Sequence, residues 1–182
     1  MRPGLYVVSG PGGVGKGTVV ATMARRHPEI VVSVSSTTRP PRPGEVDGVH
    51  YRFLDDEAFD ALIASDSFLE WAAFGGHRYG TPWASVRTAL AEGHPVVLEI
   101  DVQGAAQVRE RFPGAVRIFL EAPSPEALAE RLSTRGTDDA GRIAERLRLA
   151  EAEMAQRRDF DHVVVNDDLD RAAGALARIL GG

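Results

Sequence analysis

No cysteine occurs among the 182 residues. That absence excludes a disulfide framework, a cysteine nucleophile and any thiolate metal site, and it suits a cytosolic chain without requiring one. Long apolar runs are missing too, since none approaches the roughly 20 residues that span a bilayer. The opening Met-Arg-Pro-Gly-Leu-Tyr-Val-Val-Ser-Gly offers four apolar residues before glycines interrupt, too few for the core of a signal peptide. Basic charge is in short supply, with 21 Lys and Arg against 26 Asp and Glu and a net charge of −5. A general nucleic-acid binder usually needs a basic surface to displace counterions. Neither nucleic acid nor membrane is therefore expected as a partner, and the expected location is cytoplasmic. At 43% apolar and 26% charged residues, the chain has the composition of one globular domain with a real core.

Lysine is scarcest of all. Lys16 is the single one, and the other twenty basic residues are Arg. Genome base composition is reason enough for such a bias. Yet the two side chains are not interchangeable where a compact point charge is wanted, and Lys16 stands inside the most recognisable motif of the chain.

That motif begins with Leu5-Tyr6-Val7-Val8-Ser9, a short apolar run of the kind that forms a buried parallel strand. It enters Gly10-Pro11-Gly12-Gly13-Val14-Gly15-Lys16-Gly17-Thr18 and then Val19, Val20, Met23 and Ala24 at helical spacing. Strand, glycine-rich loop and helix in this order predict a phosphate-binding loop. Glycines let backbone N–H groups turn inward around an oxyanion, and the helix N-terminus adds partial positive charge. Lys16 is placed to reach the β- and γ-phosphates. Gly17 stands where many such loops carry the hydroxyl that ligates Mg²⁺. Any Mg²⁺ is therefore expected to be held mainly by nucleotide phosphates and water, with Thr18 on a phosphate. Lys-Gly-Thr is a form familiar from kinases of nucleoside monophosphates.

Further apolar runs at 30–34, 96–100, 116–120 and 163–165 predict buried strands. Helical spacing marks 16–27, 83–92, 102–112, 125–134, 140–158 and 169–180, the last with Leu169, Ala172, Ala173, Leu176 and Leu180 on one face. This alternation predicts an α/β fold, a parallel sheet flanked by helices. Residues 35–85 break the rhythm, with strand candidates near 50–54, 68–74 and 77–80, and read as an inserted, mainly β subdomain.

Chemistry concentrates in the insert. Arg39 and Arg42 stand on a loop stiffened by Pro40, Pro41 and Pro43, suited to gripping a phosphate through paired hydrogen bonds or equally to forming a solvated turn. Tyr51 and Tyr79 offer hydroxyl donors. Glu70, between Leu69 and Trp71, is either a surface group at a strand edge or a buried acceptor. The five histidines show no metal-ligand spacing.

The run Ser33–Glu45 followed by Asp47-Gly48-Val49-His50-Tyr51 closely resembles the guanylate kinase family. So do Phe68-Leu69-Glu70-Trp71, Tyr79-Gly80-Thr81-Pro82, Ile100-Asp101-Val102-Gln103-Gly104, Arg131-Leu132 with Arg135-Gly136-Thr137, and Val165-Asn166-Asp167-Asp168-Leu169. These blocks keep family order over nearly the whole chain. The resemblance implies the P-loop nucleoside monophosphate kinase fold in one domain, 1–182. Its core comprises 1–34, 86–123 and 143–182, its GMP-binding insert 35–85 and its lid 124–142. It implies transfer of the γ-phosphoryl group of ATP to GMP, and to dGMP, giving ADP and the nucleoside diphosphate.

By the same resemblance Gly10 to Thr18 and Asn166 bind ATP, while Arg39, Arg42, Tyr51 and Tyr79 hold the GMP phosphate. Ser35, Glu70 and Thr81 read guanine, which presents N1–H and an exocyclic amine side by side to a carboxylate. Asp101 contacts guanine or ribose, or holds a water on Mg²⁺. Lys16, Arg131, Arg135 and Arg146 stabilise charge on the transferring group. The bland alternative for these arginines is a solvated helix paired with Glu126, Glu130 and Glu145.

Four positions depart from the family pattern: Gly12 for Ser, His77-Arg78 for Asn-Tyr, and Glu99 for Asp. Two rivals predict different residues. A peptide-binding module of the kind found in scaffold proteins typically lacks the phosphate loop, and a kinase for a ribose bisphosphate needs no Ser35, Glu70 and Thr81.

Overall fold

The computed structural model describes residues 1–133 and 140–182, the side chains of residues 140–146 excepted. Two sheets organise them. β1 (Gly4–Ser9), β2 (Val31–Val32), β7 (Pro95–Glu99), β8 (Val116–Glu121) and β9 (His162–Val165) form a wholly parallel sheet in the order β2-β7-β1-β8-β9. β3 (Ser36–Thr37), β4 (Arg52–Phe53), β5 (Phe68–Phe74) and β6 (His77–Pro82) form a mixed sheet in the order β4-β3-β6-β5.

Strand periodicity explains how the parallel sheet is buried on both sides. Tyr6 and Val8 of β1 face α1 (Lys16–Arg26) and α7 (Leu169–Gly181), through Val19, Val20, Met23, Ala172, Ala173, Leu176 and Leu180. Leu5 and Val7 face the other way, into a cluster with Val86 of α3 (Trp83–Ala91) and with Ala105 and Val108 of α4 (Val102–Arg111). Truncating a fully buried leucine such as Leu176 or Leu180 to alanine leaves a cavity and costs about 2–5 kcal/mol. α5 (Pro125–Ser133) and α6 (Ala140–Met154) follow β8 and pack against each other through Leu128, Leu132 and Ala150. Among the described residues no helix is long and apolar enough to cross a membrane.

The expected core strands and helices form within a few residues of their predicted bounds, with 155–159 a 3-10 turn rather than the end of a long helix. Two elements were not anticipated, both inside the insert: the short β3, and α2 (Asp56–Ala64). Its N-cap Asp55 accepts from the N–H of Ala58 at 2.8 Å, and Asp56 and Glu57 complement the dipole of the first turn. Its buried Phe59 stacks on Phe68 of β5 at 4.6 Å between centroids.

β5 joins the two sheets. A register shift between Phe68 and Glu70 breaks the alternation, so that Phe68, Leu69 and Glu70 are all buried. Leu69 enters the core beside Leu5 and Val7, while Glu70 remains on the insert and buried.

Candidate active site

In an open α/β sheet, ligands bind beyond the carboxyl ends of the strands. β1 and β7 are neighbours, with Val8 opposite Glu99, so the loop after β1 and residues 99–101 emerge side by side. Gly10, Gly13 and Gly15 adopt φ values of 142°, 87° and 90°, a region that suits glycine. A Cβ at Gly13 would lie 2.5 Å from Leu132 Cδ2, so loop and α5 are moulded together. Lys16 opens α1, and its Nζ donates to the carbonyls of Gly10 at 2.6 Å and Pro11 at 3.2 Å.

A cavity of about 430 Å³ connects this loop to the insert. Gly12, Gly13, Gly15, Lys16, Gly17 and Thr18 form one wall, and Ser35, Tyr51, Glu70 and Tyr79 the opposite one. Glu99 and Asp101 lie between. Glu99 is open to solvent through the cavity, yet desolvation by the walls raises its carboxyl above the usual range while Lys16 draws it back. Asp101 caps α4, one carboxylate oxygen accepting from the Gly104 N–H at 2.7 Å.

Ser35, Glu70 and Thr81 come together although they are distant in sequence. Thr81 Oγ1 donates to Glu70 Oε1 at 2.5 Å and lies 3.4 Å from Ser35 Oγ. Glu70 is only 3% exposed, so of the two sequence readings it is the buried acceptor. Burial pushes its carboxyl up to about 7, with Asp101 adding to the rise and the Thr81 hydroxyl opposing it. A carboxylate held in place with one oxygen bonded to a hydroxyl suits a ligand edge that carries adjacent N–H donors.

Tyr51 and Tyr79 stand edge to face at 6.0 Å, and the Arg39 guanidinium lies over the Tyr51 ring at 5.4 Å. Tyrosine hydroxyls and guanidinium together make a corner suited to an anion. A glycine-rich loop with its lysine, the two tyrosines and a buried carboxylate for a base edge therefore share one cleft, while Arg39, against the Tyr51 ring, is not part of its lining.

The guanylate kinase family model matches residues 2–181. The chain belongs to the guanylate kinase family. It is 55% identical over 176 residues to a guanylate kinase of Gloeobacter violaceus, covering 97% of this chain and 86% of that protein. A guanylate kinase of Streptomyces coelicolor is 53% identical over 175 residues, covering 96% and 89%. The crystal structure of guanylate kinase from Anaplasma phagocytophilum superposes with a TM-score of 0.81 at 31% identity, covering 99% of this chain and 86% of that one. Guanylate kinases are nucleoside monophosphate kinases, so this chain is a phosphotransferase that carries the γ-phosphoryl group of ATP to GMP.

Not every residue anticipated for a guanylate kinase lines the cleft. Asn166 is buried, its Nδ2 donating to the Val14 carbonyl at 2.8 Å, so its amide props the phosphate loop. Arg131 donates to the same Val14 carbonyl at 3.4 Å and to that of Asn166 at 2.8 Å, tying α5 to the loop and to the turn before α7. Arg42 is exposed. Arg135 and the side chain of Arg146 lie outside the described residues, as does part of the span assigned to the lid.

Two carboxylates were missed in the sequence. Glu45 takes a bidentate bond from Arg39, at 2.8 and 2.9 Å, and a third from the Arg42 N–H at 2.6 Å. These donors hold its carboxyl down to about 2. Glu153 of α6 reaches the phosphate loop, where its Oε2 accepts from the Gly12 N–H at 3.1 Å. Desolvation raises the Glu153 carboxyl, while that N–H and the Lys16 charge oppose the rise. The charge on Glu45 was visible beside two arginines. Nothing in the sequence connects position 153 with position 12.

Proposed function

We propose that transfer takes place across the cleft, with ATP on the phosphate-loop wall and GMP on the insert wall. The observation that carries this division is the Ser35–Thr81–Glu70 network facing the Lys16 loop across one cavity. Glu70 accepts from guanine N1–H and the exocyclic amine, while Ser35 and Thr81 complete the base site. Arg39, Arg42, Tyr51 and Tyr79 hold the GMP phosphate, with Glu45 orienting Arg39. The backbone N–H groups from Gly10 to Gly17, Lys16 and Thr18 hold the ATP phosphates. Asn166 supports the adenine end through Val14. Arg131, with Arg135 and Arg146, supplies charge to the transferring group; for this Arg131 must exchange two carbonyl acceptors for phosphate oxygens. The division into core, insert 35–85 and lid 124–142 is part of the same proposal, as is a cytoplasmic location.

No general base is required. A phosphate monoester has a second pKa near 6, so the GMP phosphate is largely dianionic at neutral pH and is itself the nucleophile. Catalysis is then alignment plus electrostatic stabilisation. Among the described residues no group of three or more His, Cys, Asp and Glu side chains could hold a metal ion. Oxygen donors do stand in the cleft, however, at Thr18, Glu99 and Asp101, and such donors suit Mg²⁺ that arrives on nucleotide phosphates and keeps several waters. When bound, that ion neutralises charge on the β- and γ-phosphates. dGMP is accepted as well, because no group assigned to base or phosphate needs the 2′-hydroxyl.

A coupled ADP-release assay across GMP, dGMP, AMP, CMP, UMP and a ribose bisphosphate tests this reading. GMP and dGMP are expected to turn over and the others to remain at background. Turnover of the ribose bisphosphate, or of AMP at the rate of GMP, would refute the base assignment.

The raised Glu70 carboxyl gives a pH signature. Its folded pKa of about 7 stands above the free value of 4.5, so its ionisation opposes folding. Its contribution to stability is complete below the free value and is lost as pH rises through about 7. Guanine binding runs the opposite way, since two N–H donors need the ionised form. kcat/KM for GMP, which reports the free enzyme, should fall on the acid side of about 7. The GMP phosphate adds its own limb near 6. In Glu70→Gln only that lower limb should remain; an unchanged profile would show that Glu70 does not titrate in the base site.

A further inference from the structure

We propose that Gly104 determines where the Glu70 carboxylate stands, and so acts as a positioning residue for base selection. The proposal rests on Glu70 as the guanine acceptor. Gly104 is buried in the first turn of α4, and it is not among the glycines with positive φ. Glycine in a helix is destabilising relative to alanine, so backbone conformation gives no reason for it. Space does. A Cβ built at position 104 would lie closer than 3 Å to Glu70 Oε2, 3.1 Å from Glu70 Cδ and 3.3 Å from Ile100 Cδ1. All three are side-chain atoms, and the closest is the far end of a flexible one. An added methyl is accommodated by turning the carboxylate away, and the helix need not break.

The strand that carries Glu70 cannot retreat with it. One turn along α4, Gln107 accepts from the Trp71 N–H at 3.1 Å and donates to the Trp71 carbonyl at 2.7 Å. One further turn along, Arg111 donates to the Phe68 carbonyl at 2.6 Å. Positions 104, 107 and 111 share one helix face. Gln107 and Arg111 grip the backbone of β5 on both sides of Glu70, and Gly104 leaves the gap into which its carboxylate fits. The Asp101 cap fixes the same turn through the Gly104 N–H at 2.7 Å. α4, a helix of the core, thereby sets the depth of an acceptor that belongs to the insert.

Gly104→Ala, Glu70→Gln and the double variant test this, with steady-state kinetics and thermal unfolding on each. In Gly104→Ala the unfolding midpoint is expected to be unchanged or higher, because alanine favours the helix. KM for ATP should be unchanged, and kcat/KM for GMP should fall at least about tenfold, as misplacement on the ångström scale does. In the Glu70→Gln background the glycine substitution should add less than about twofold, because both act through one carboxylate. Wild-type kcat/KM for GMP in Gly104→Ala, beside an impaired Glu70→Gln, overturns the proposal. So does a lowered midpoint, which would place the clash in the scaffold, and so does full additivity. Wild-type kinetics in Glu70→Gln would instead overturn the base-site reading beneath it.

Discussion

Lys16→Ala is expected to lower kcat by at least about 100-fold while leaving the fold intact. Lys16 is half-buried at the cavity wall, and its ammonium already lies against the Gly10 and Pro11 carbonyls. From there it can follow negative charge that develops on the transferring phosphoryl group. Removing it deletes a charge-assisted donor from the loop, and it leaves Glu99 and Glu153 without the cation that offsets their desolvation. The core leucines and valines are untouched, so far-UV circular dichroism and the unfolding midpoint should change little. Lys16→Arg should recover only a small part of the loss. A planar guanidinium keeps the charge but not the compact geometry. Near-normal turnover of MgATP by the alanine variant would sink the assignment of this loop to ATP.

The second large effect is expected at the other end of the cleft. Glu70→Gln replaces one acceptor by a donor at a position that is 3% exposed. On the proposed base site a donor then faces a guanine N–H, and both go unpaired in a nearly dry site, at a cost of about 2–4 kcal/mol. That corresponds to roughly 30- to 1000-fold in kcat/KM for GMP. Thr81 Oγ1 can still donate to the remaining amide oxygen, so the local hydrogen bond survives and the fold is not the casualty. The phosphate loop lies across the cavity, and KM for ATP at saturating GMP should be unaffected. AMP is expected to stay poor, since the proposed site keeps Ser35 and Thr81, but the preference for GMP over AMP should shrink. A variant with wild-type kcat/KM for GMP and the same preference would show that guanine is read elsewhere.

The core sheet was legible because local signals agreed with global ones. Apolar runs, helical spacing and the loop glycines all point to strand, loop and helix, and β1 with α1 forms as its residues demand. α2 was missed although its signals were present: Asp55 as cap, two acids in the first turn, and Phe59 for the core. Flanking strand patterns drew the whole segment into one β reading. The proximity of Ser35, Glu70 and Thr81 was legible only through family resemblance, because it depends on strand pairing across the insert sheet. The burial of all three residues 68–70 depends on a register shift that alternation cannot announce. Asn166 and Arg131 show the limit from the other side. Both lie next to the phosphate loop, yet their polar atoms serve the Val14 carbonyl rather than the cavity.

The bond between Glu153 and the Gly12 N–H means that the phosphate loop holds an anion supplied by its own chain. One N–H group donates well to one oxyanion at a time, so a phosphate that takes this donor does so by replacement. The apparent affinity of the loop is then a difference between two anions, and its intrinsic grip is stronger than a titration with nucleotide reports. Replacement also sets free a carboxylate on α6, which packs against α5 through Leu128, Leu132 and Ala150.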